Sequence, residues 1–413
     1  MNQIKLFIFL QIIFLSLINS SYQSDEKNII LIKVQSQTDK AVTYIYNIPY
    51  SYYSEIQMYI DDTKMASFDR KLQKVDGLIH TVKLIFPPDF QDTCAKMFFE
   101  MKNVLEIKFI NFQGCTDTKA MFEYCYDLKD LYLEQFDTSL VTNMEMMFHG
   151  CKALSKLDLF NFKTDKVVNM NGMFSYCNSL STINNLNVLD TSKVTNMGYL
   201  FFNSANLRHL DVSNFDTRNV LDMNGMFYNC SSLVTIDLLN FNTAQVKYMD
   251  HMFYNDISLM KLDVSNFDTR NVQNMGYMFH NCNLLTSIDV SNFNTQKVTN
   301  MDSMFYNCKS LLNLDLRSFD TSQVTSLYLM FYNNTFLKKL DLSHFNTKNF
   351  NDIHGLFTHC SSLESVDLSS FDFEKIFLKY NLFYGCDNLK YVRHPTCSFP
   401  GIGKAPKFTC IKE

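Results

Sequence analysis

Beyond its N-terminus, this 413-residue chain has no stretch that approaches the ~20 apolar residues a membrane-spanning helix needs. It has no cluster of Lys and Arg. With a formal charge of -5 and a pI near 6.0 it lacks the basic face that phosphate binding needs, which argues against nucleic acid as a partner. Trp is absent while Asn, Lys, Ile, Phe and Tyr are common, a bias of coding rather than of chemistry. Enzyme signatures are missing too. The 9 His are scattered, and there is no H-E-x-x-H, G-x-S-x-G, C-x-x-C or phosphate loop. His354, His359 and Cys360 are close in sequence but lack a metal-ligand spacing. The expectation is therefore no enzyme, no metal and no cofactor.

Residues 1–23 read as a secretory signal peptide: Lys5, then the short apolar run Leu6 to Leu17, then Asn19, Ser20 and Ser21. A buried N-terminal helix or an uncleaved anchor is the alternative. No Cys follows the run, which speaks against a bacterial lipid anchor, and the C-terminal PGIGKAPKFTCIKE carries no lipid-anchor tail. The chain is expected outside the cell, secreted or surface-associated.

What is abundant is one line, repeated. Its cleanest copy, Leu262 to Leu285, runs LDVSNFDTRNVQNMGYMFHNCNLL. The Met-Phe pair or a near variant ends in Phe122, Phe148, Phe174, Phe201, Phe227, Phe253, Phe279, Phe305, Phe331, Phe357 and Phe383. These are about 26 residues apart, with one step of about 27 between Phe174 and Phe201, the period of a solenoid. Each coil buries its apolar edge on its neighbours, so length counts coils here, not domains. Four divisions follow: the signal peptide at 1–23, a β-rich cap at 24–93, the solenoid at 94–393 and a C-terminal cap segment at 394–413. In the N-terminal cap, Ile29, Leu31 and Ile32 start one strand, Val42, Tyr44 and Tyr46 alternate in a second, and Ile79 to Phe86 forms another, stopped by Pro87 and Pro88. The alternative is an independent binding domain.

Within one coil, Leu233, Ile236, Leu238 and Phe241 follow leucine-rich-repeat spacing, and Ile236 and Leu238 alternate around Asp237 as in a short strand. Val246, Met249, Met252 and Phe253 fall at i, i+3, i+6, i+7, which predicts one face of a short helix. The Thr at 138, 164, 191, 217, 243, 269, 295, 321 and 347 sits where an N-cap would, and Asn or Gly two residues past the Phe where a helix would end. The predicted fold class is α/β: a leucine-rich-repeat-type solenoid with one parallel strand and one short helix per coil. Helices pack at roughly 8–10 Å and strands at about 4.8 Å, so the array should curve with its strands on the concave side. The Met stripe reads as core filling.

The motifs LDxSNFDT, V-x-N-M and MFYNC closely resemble the BspA-like leucine-rich repeat surface proteins over about residues 94–393. The resemblance implies a secreted or surface-held, non-enzymatic repeat protein with adhesion as its role. The pattern departs at Asn184 to Asp190, which carries an extra residue, and in the last coil, with Phe373 for Thr and Arg393 for Asp.

Four sets of residues are candidates for function. Asp158, Asp211, Asp237, Asp263, Asp289, Asp315, Asp341 and Asp367 share one outward strand position, interrupted by Asn184, and form a candidate concave-face ligand strip. Neighbours about 5 Å apart in water repel by roughly 0.8 kcal/mol. A basic ligand or a divalent cation would relieve that; solvent with nearby Ser and Asn is the alternative. Tyr228, Tyr254, Tyr306, Tyr332 and Tyr384 each follow the Phe and either form exposed hot spots or lie over the next coil and cover its Phe. Cys125, Cys151, Cys177, Cys230, Cys282, Cys308, Cys360 and Cys386 form a column broken by Ser204, Asp256 and Asn334. Coil spacing beyond the ~7 Å disulfide limit should keep these as thiols. Cys94 with Cys115, and Cys397 with Cys410, flank the array and are the expected disulfides. Asn333 heads a glycosylation sequon. The function expected is a protein-binding or adhesion scaffold for a protein or glycoprotein ligand, with no nucleic acid and no membrane span in the mature chain; the alternative is a self-associating component of an extracellular coat.

Overall fold

The computed structural model describes residues 28–36, 43–45, 48–72 and 77–412; the signal-peptide reading lies outside the described residues, as do Val42 and Tyr46 of the cap. The N-terminal region contributes β1 (Ile29–Gln35), β2 (Thr43–Tyr44), β3 (Gln57–Ile60), β4 (Thr63–Lys64), β5 (Lys71–Leu72) and β6 (Ile79–Ile85). The first coils carry β7 (Val104–Ile110), β8 (Asp130–Tyr132), β9 (Lys156–Asp158) and β10 (Thr182–Asn184). The last carry β11 (Lys339–Asp341), β12 (Ser365–Asp367), β13 (Tyr391–Arg393) and the closing β14 (Thr409–Ile411). One sheet in the order β4-β3-β6-β1-β7-β8 joins cap and array. β1 lies antiparallel along β7, and β7 lies parallel to β8, so the cap covers the first coil's open edge with its own amides.

The array is a β-solenoid of about 11 turns with almost no helix. Among the described residues the only helical segments are two 3-residue 3₁₀ turns, Tyr50–Tyr52 and Leu186–Val188. The predicted helix of each coil is absent, and the amides of one coil give the reason. The N–H groups of Met249, His251, Phe253 and Asn255 donate to the carbonyls of Asn274, Gly276, Met278 and His280 in the next coil, at 3.1, 3.0, 2.9 and 2.7 Å. The intervening N–H groups of Met252 and Tyr254 turn back to Met249 and His251, at 3.3 and 3.1 Å. A helix aims every N–H along its own axis and is about 10 Å wide. Here every second N–H is spent on the neighbouring coil, so coils stack far closer than helices could.

This staircase of turns needs two left-handed residues per coil, for example His251 (φ 57°) and Asn255 (φ 62°). Asn at the second position tolerates that conformation. It is not the helix C-cap that its place after the Phe predicts; it is a corner repeated in every coil. The apolar spacing does identify what is buried: Val246, Met249, Met252 and Phe253 are all 0% exposed. With the helix gone, so is the width mismatch that predicted curvature.

The strand half of each coil pairs in parallel where it pairs, β9 with β10 and β11 through β14 in order. Between these groups it thins to single bridges, such as Thr235 with Lys261. A second parallel ladder runs through the V-x-N-M segment, from Asn143 through Asn169, Asn196, Asp222, Tyr248 and Asn274 to Asn300.

Between the two ladders the core is a file of phenylalanines. From Phe98 to Phe383 successive rings lie 5.4–6.1 Å apart with planes within 17° of parallel. The extra residue between Phe174 and Phe201 does not break the file, whose spacing there is 5.5 Å. It is taken up near Leu186–Val188, where Asn185 turns left-handed at φ 57°.

The repeated Thr caps no helix; it ties coils together. Thr243 Oγ1 donates to the carbonyl of Asp268 (3.0 Å) and accepts that residue's N–H (2.8 Å). Thr217, Thr269 and Thr295 do the same to Asn242, Asn294 and Asp320. Each hydroxyl satisfies a donor and an acceptor of the next coil at a position 0–1% exposed. Thr243→Val keeps the shape and removes both bonds. It should destabilise the protein by about 1–3 kcal/mol, read as a lowered melting temperature, and Thr243→Ser should recover most of the loss. A valine variant as stable as the parent would show that the hydroxyl does not hold the coils.

Candidate functional site: the strand face

The acid column lies on the strand face, and each carboxylate is first engaged by its own chain. Oδ1 of Asp158, Asp211, Asp237, Asp263, Asp289, Asp315, Asp341 and Asp367 accepts the N–H two residues on, at 2.9–3.2 Å. These are Asx turns, which start the corner after each strand. Ser213, Ser265 and Ser343 add hydroxyl bonds to Asp211, Asp263 and Asp341. Bonds from Ser265, Ser291 and Ser343 hold Asp263, Asp289 and Asp341 below the usual carboxylate range, although Asp263 and Asp315 repel Asp289 from either side. Asn185 Nδ2 reaches Asp158 at 2.7 Å. Among the described residues no group of three or more His, Cys, Asp or Glu could hold a metal ion.

At its C-terminal end this face is hollowed. A cleft of about 700 Å³ lies over β11, β12 and β13 and reaches Ile411 of β14. Its charged rim is Asp315, Arg317, Lys339, Asp341, Asp367 and Arg393, and its floor includes Leu314, Leu340 and Val366. Arg317 Nε bonds Asp315 at 2.9 Å, and the bonds from Arg317 hold the Asp315 carboxyl down at about 2. Arg393 lies 3.4 Å from Asp367. Tyr391 is 48% exposed at the margin. Among the described residues the acid column's ion pairs, Arg317 with Asp315 and Arg393 with Asp367, both fall where the repeat is broken. Arg317 stands where other coils have Ser213, Ser265, Ser291 and Ser343, and Arg393 stands where others have Asp. The sequence signal for Arg317 and Tyr391 is their departure from the repeated line, and reading columns of identical residues passes over it; Lys339 repeats the Lys156 and Lys261 of other coils.

The turn half of each coil carries the rings. Tyr228, Tyr254, Tyr306 and Tyr332 cover one another rather than the Phe file. With Phe202 at one end and His280 in the middle they stack at 4.2–4.6 Å, planes within 16°. Their faces are occupied by each other, so only edges reach solvent. Tyr384 stands apart, edge-on to His359 at 5.3 Å. His280 is 8% exposed, and its Nδ1 has no partner. Burial, with a smaller push from His251, moves its pKa down to about 4. Beside the rings, the side-chain amides of Asn203, Asn229, Asn255, Asn281, Asn307 and Asn333 form a ladder, each Nδ2 from Asn229 onward donating to the Oδ1 one coil back. Asn333 Nδ2, the nitrogen a glycan would take, donates to Asn307 at 2.6 Å.

Cys94 and Cys115 are joined, as are Cys397 and Cys410, with Cα separations of 5.5 and 5.8 Å. The eight column cysteines are free and buried. Distance is not what keeps them single, because coils are closer than helical packing would set them. Each Sγ points back at the carbonyl of the preceding coil's Phe, as Cys151 does to Phe122 (3.2 Å). Burial pushes the thiols of Cys125, Cys177, Cys308 and Cys386 up to about 12 and those of Cys151, Cys230, Cys282 and Cys360 well above 9, which leaves them inert.

Alkylation of the denatured, unreduced protein should block eight thiols and leave Cys94, Cys115, Cys397 and Cys410 unmodified by mass; fewer blocked thiols would mean the column is cross-linked. The ring column makes a second prediction. A His whose folded pKa is depressed contributes stability that is complete above its unfolded value of 6.5 and drains as pH falls toward about 4. His280→Tyr, which continues the stack, should remove that loss between pH 6.5 and 4 in thermal melts. Parallel curves for the two proteins would contradict it.

Three overlapping stretches, residues 92–189, 180–288 and 283–393, match the family described as Mycoplasma protein of unknown function, DUF285. No curated protein matches the chain. Among solved structures the chain is similar to a leucine rich cell surface protein from Faecalibacterium prausnitzii, 15% identical over 75% of this chain and 84% of that one, with a TM-score of 0.36. The family matches run unbroken over the repeated coils and cover well over half of the chain, which is therefore a member of the DUF285 family.

Proposed function

We propose that this chain is a non-enzymatic scaffold, secreted or held at a cell surface, that binds a protein or glycoprotein at the C-terminal cleft of its strand face. The observation that carries the reading is the cleft of about 700 Å³ with both charge signs on its rim and an apolar floor. Elsewhere on that face the acids answer to their own turns, and like repeats on like. Polar rims around buried apolar contacts are the anatomy of protein interfaces, and Arg and Tyr are the residues enriched in their hot spots. The resemblance of LDxSNFDT and MFYNC to the BspA-like surface proteins supports adhesion as the purpose. Nucleic acid and membrane fit less well: the net charge is -5, and no helix of the described residues is long and apolar enough to cross a bilayer.

Arg317→Ser and Tyr391→Ser can be combined. The first restores the residue found at Ser343 in the next coil, and neither side chain is buried, so melting should be unchanged. Capture of one defined protein from a cell-surface extract should fall at least about tenfold in the double variant, the scale of hot-spot loss. Equal capture by both proteins would move the site off the cleft. One observation favours the coat reading as well. The sheet β11-β12-β13-β14 ends on β14, whose Ile411 is 39% exposed, an edge that a second copy could extend. Light scattering that grows with concentration would favour the coat, and a constant monomer mass would favour the binder.

A further inference from the structure

The buried column behind the Phe file obeys one rule. From Cys125 to Cys386 every residue in it except Asp256 donates to the carbonyl of the Phe one coil earlier. Eight cysteines do so: Cys125 and Cys230 to Phe98 and Phe201, for example, at 3.0 and 3.3 Å, and Cys282 to Phe253 at 3.2 Å. Where cysteine is replaced, the donor is kept. Ser204 Oγ bonds Phe174 at 2.6 Å and Asn334 Nδ2 bonds Phe305 at 2.9 Å. Asp256 is the remaining replacement, and the carbonyl assigned to it by position is that of Phe227. An ionised carboxylate has nothing to donate.

Asp256 is 0% exposed. Its Oδ1 accepts the N–H of Cys230 at 2.8 Å, while its Oδ2 is buried with no partner. The titratable groups that face it are the thiols of Cys230 and Cys282, one coil to either side, and both are held neutral by burial. No Lys, Arg or His among the described residues contributes to its field. A bare charge there would be a buried ion with one backbone hydrogen bond and no counter-charge, among the most unfavourable arrangements in a protein interior.

We infer that Asp256 is held as a neutral carboxylic acid whose Oδ2–H donates to the Phe227 carbonyl, and that this makes the joint between the Phe227 and Phe253 coils the alkali-sensitive point of the array. One proton then does for this coil what a thiol, hydroxyl or amide does for the others. Burial lifts the carboxyl well above 3.8, with the Cys230 hydrogen bond opposing in part. The folded chain keeps a proton that the unfolded chain gives up. The stability this joint contributes is therefore complete below about pH 4 and drains as pH rises toward the folded value. Because a solenoid is held by nearest-neighbour contacts, weakening a mid-array joint loosens one half of the coils from the other.

Asp256→Asn supplies both a donor for Phe227 and an acceptor for Cys230, with no proton to lose. Thermal melts of the full chain from pH 4.5 to 8.5 compare the two; the difference cancels His280 and the thiols. The variant should gain on the wild type as pH rises, by at least about 3 °C over the range. Parallel curves, or a wild type that gains with pH, would overturn the inference. A second readout does not depend on stability. At pH 7 the infrared spectrum of the wild type should contain the carbonyl stretch of a protonated carboxylic acid, and Asp256→Asn should lose it. Asp256→Ser, which copies the residue that Ser204 supplies in its own coil, serves if the Asn variant does not fold. No such band in the wild type, or a band that survives substitution, would mean that Asp256 is ionised.

Discussion

The hydrogen bond that crosses from one coil to the next sets everything else. Phe253 donates to Met278 at 2.9 Å and Asn255 to His280 at 2.7 Å, and the same alternation recurs along the array. Once every second amide must reach a neighbour, the coil repeat is fixed near the spacing of a β-ladder, about 4.8 Å. A helix cannot stand at that spacing, but flat rings can. The Phe file, at 5.4–6.1 Å with planes nearly parallel, is the arrangement aromatic side chains adopt when the backbone holds them in identical places.

Stacking like on like imposes a second constraint, on polar residues. In a buried column each side chain meets its own copy or the neighbour's backbone, so it has to offer a donor where an acceptor stands. Thr243 meets this with one hydroxyl that both gives and takes. Asn229 and Asn255 meet it with an amide, which pairs with a copy of itself. Thiols meet it as weak donors. Acids alone fail the test inside, which is why the long acid column is on the exposed strand face, where turn amides and water can serve it. Asp256 is the exception, and a proton resolves it.

The period, the coil count and the buried positions can all be read from the chain. Val246, Met249, Met252 and Phe253 are in the core as their spacing requires. The helix is a false reading because a staircase of turns and one face of a helix share the spacing i, i+3, i+6, i+7. The residue that distinguishes them is the other left-handed corner, four before the Asn: Gly225 in one coil, but His251, Tyr277, Ser303 and Leu329 in the next four. Only glycine at that place signals positive φ in sequence, and here the neighbouring coils impose it on side chains that do not favour it. The ring column is half legible. Tyr228 and Tyr254 are visible as a set, but Phe202 and His280 complete the stack and do not share the residue type.

That same regularity bears on recognition. A uniform array presents one surface many times over, and a ligand that reads only the repeat could dock in any register. Specificity has to come from the coils that break the line. On the strand face Asn184 breaks the acid column mid-array without adding charge, whereas at the C-terminal end Arg317 replaces Ser and Arg393 replaces Asp, so that the column acquires cations and a hollow together. At the N-terminal end β1 pairs antiparallel along β7, so the first coil's strand edge is covered by the cap. The chain's two ends thus differ in kind. One is covered by the cap's sheet, and the other, among the described residues, pairs β13 with β14 beside a cleft charged in both senses, the place at which the proposed partner could tell this array from its repeats.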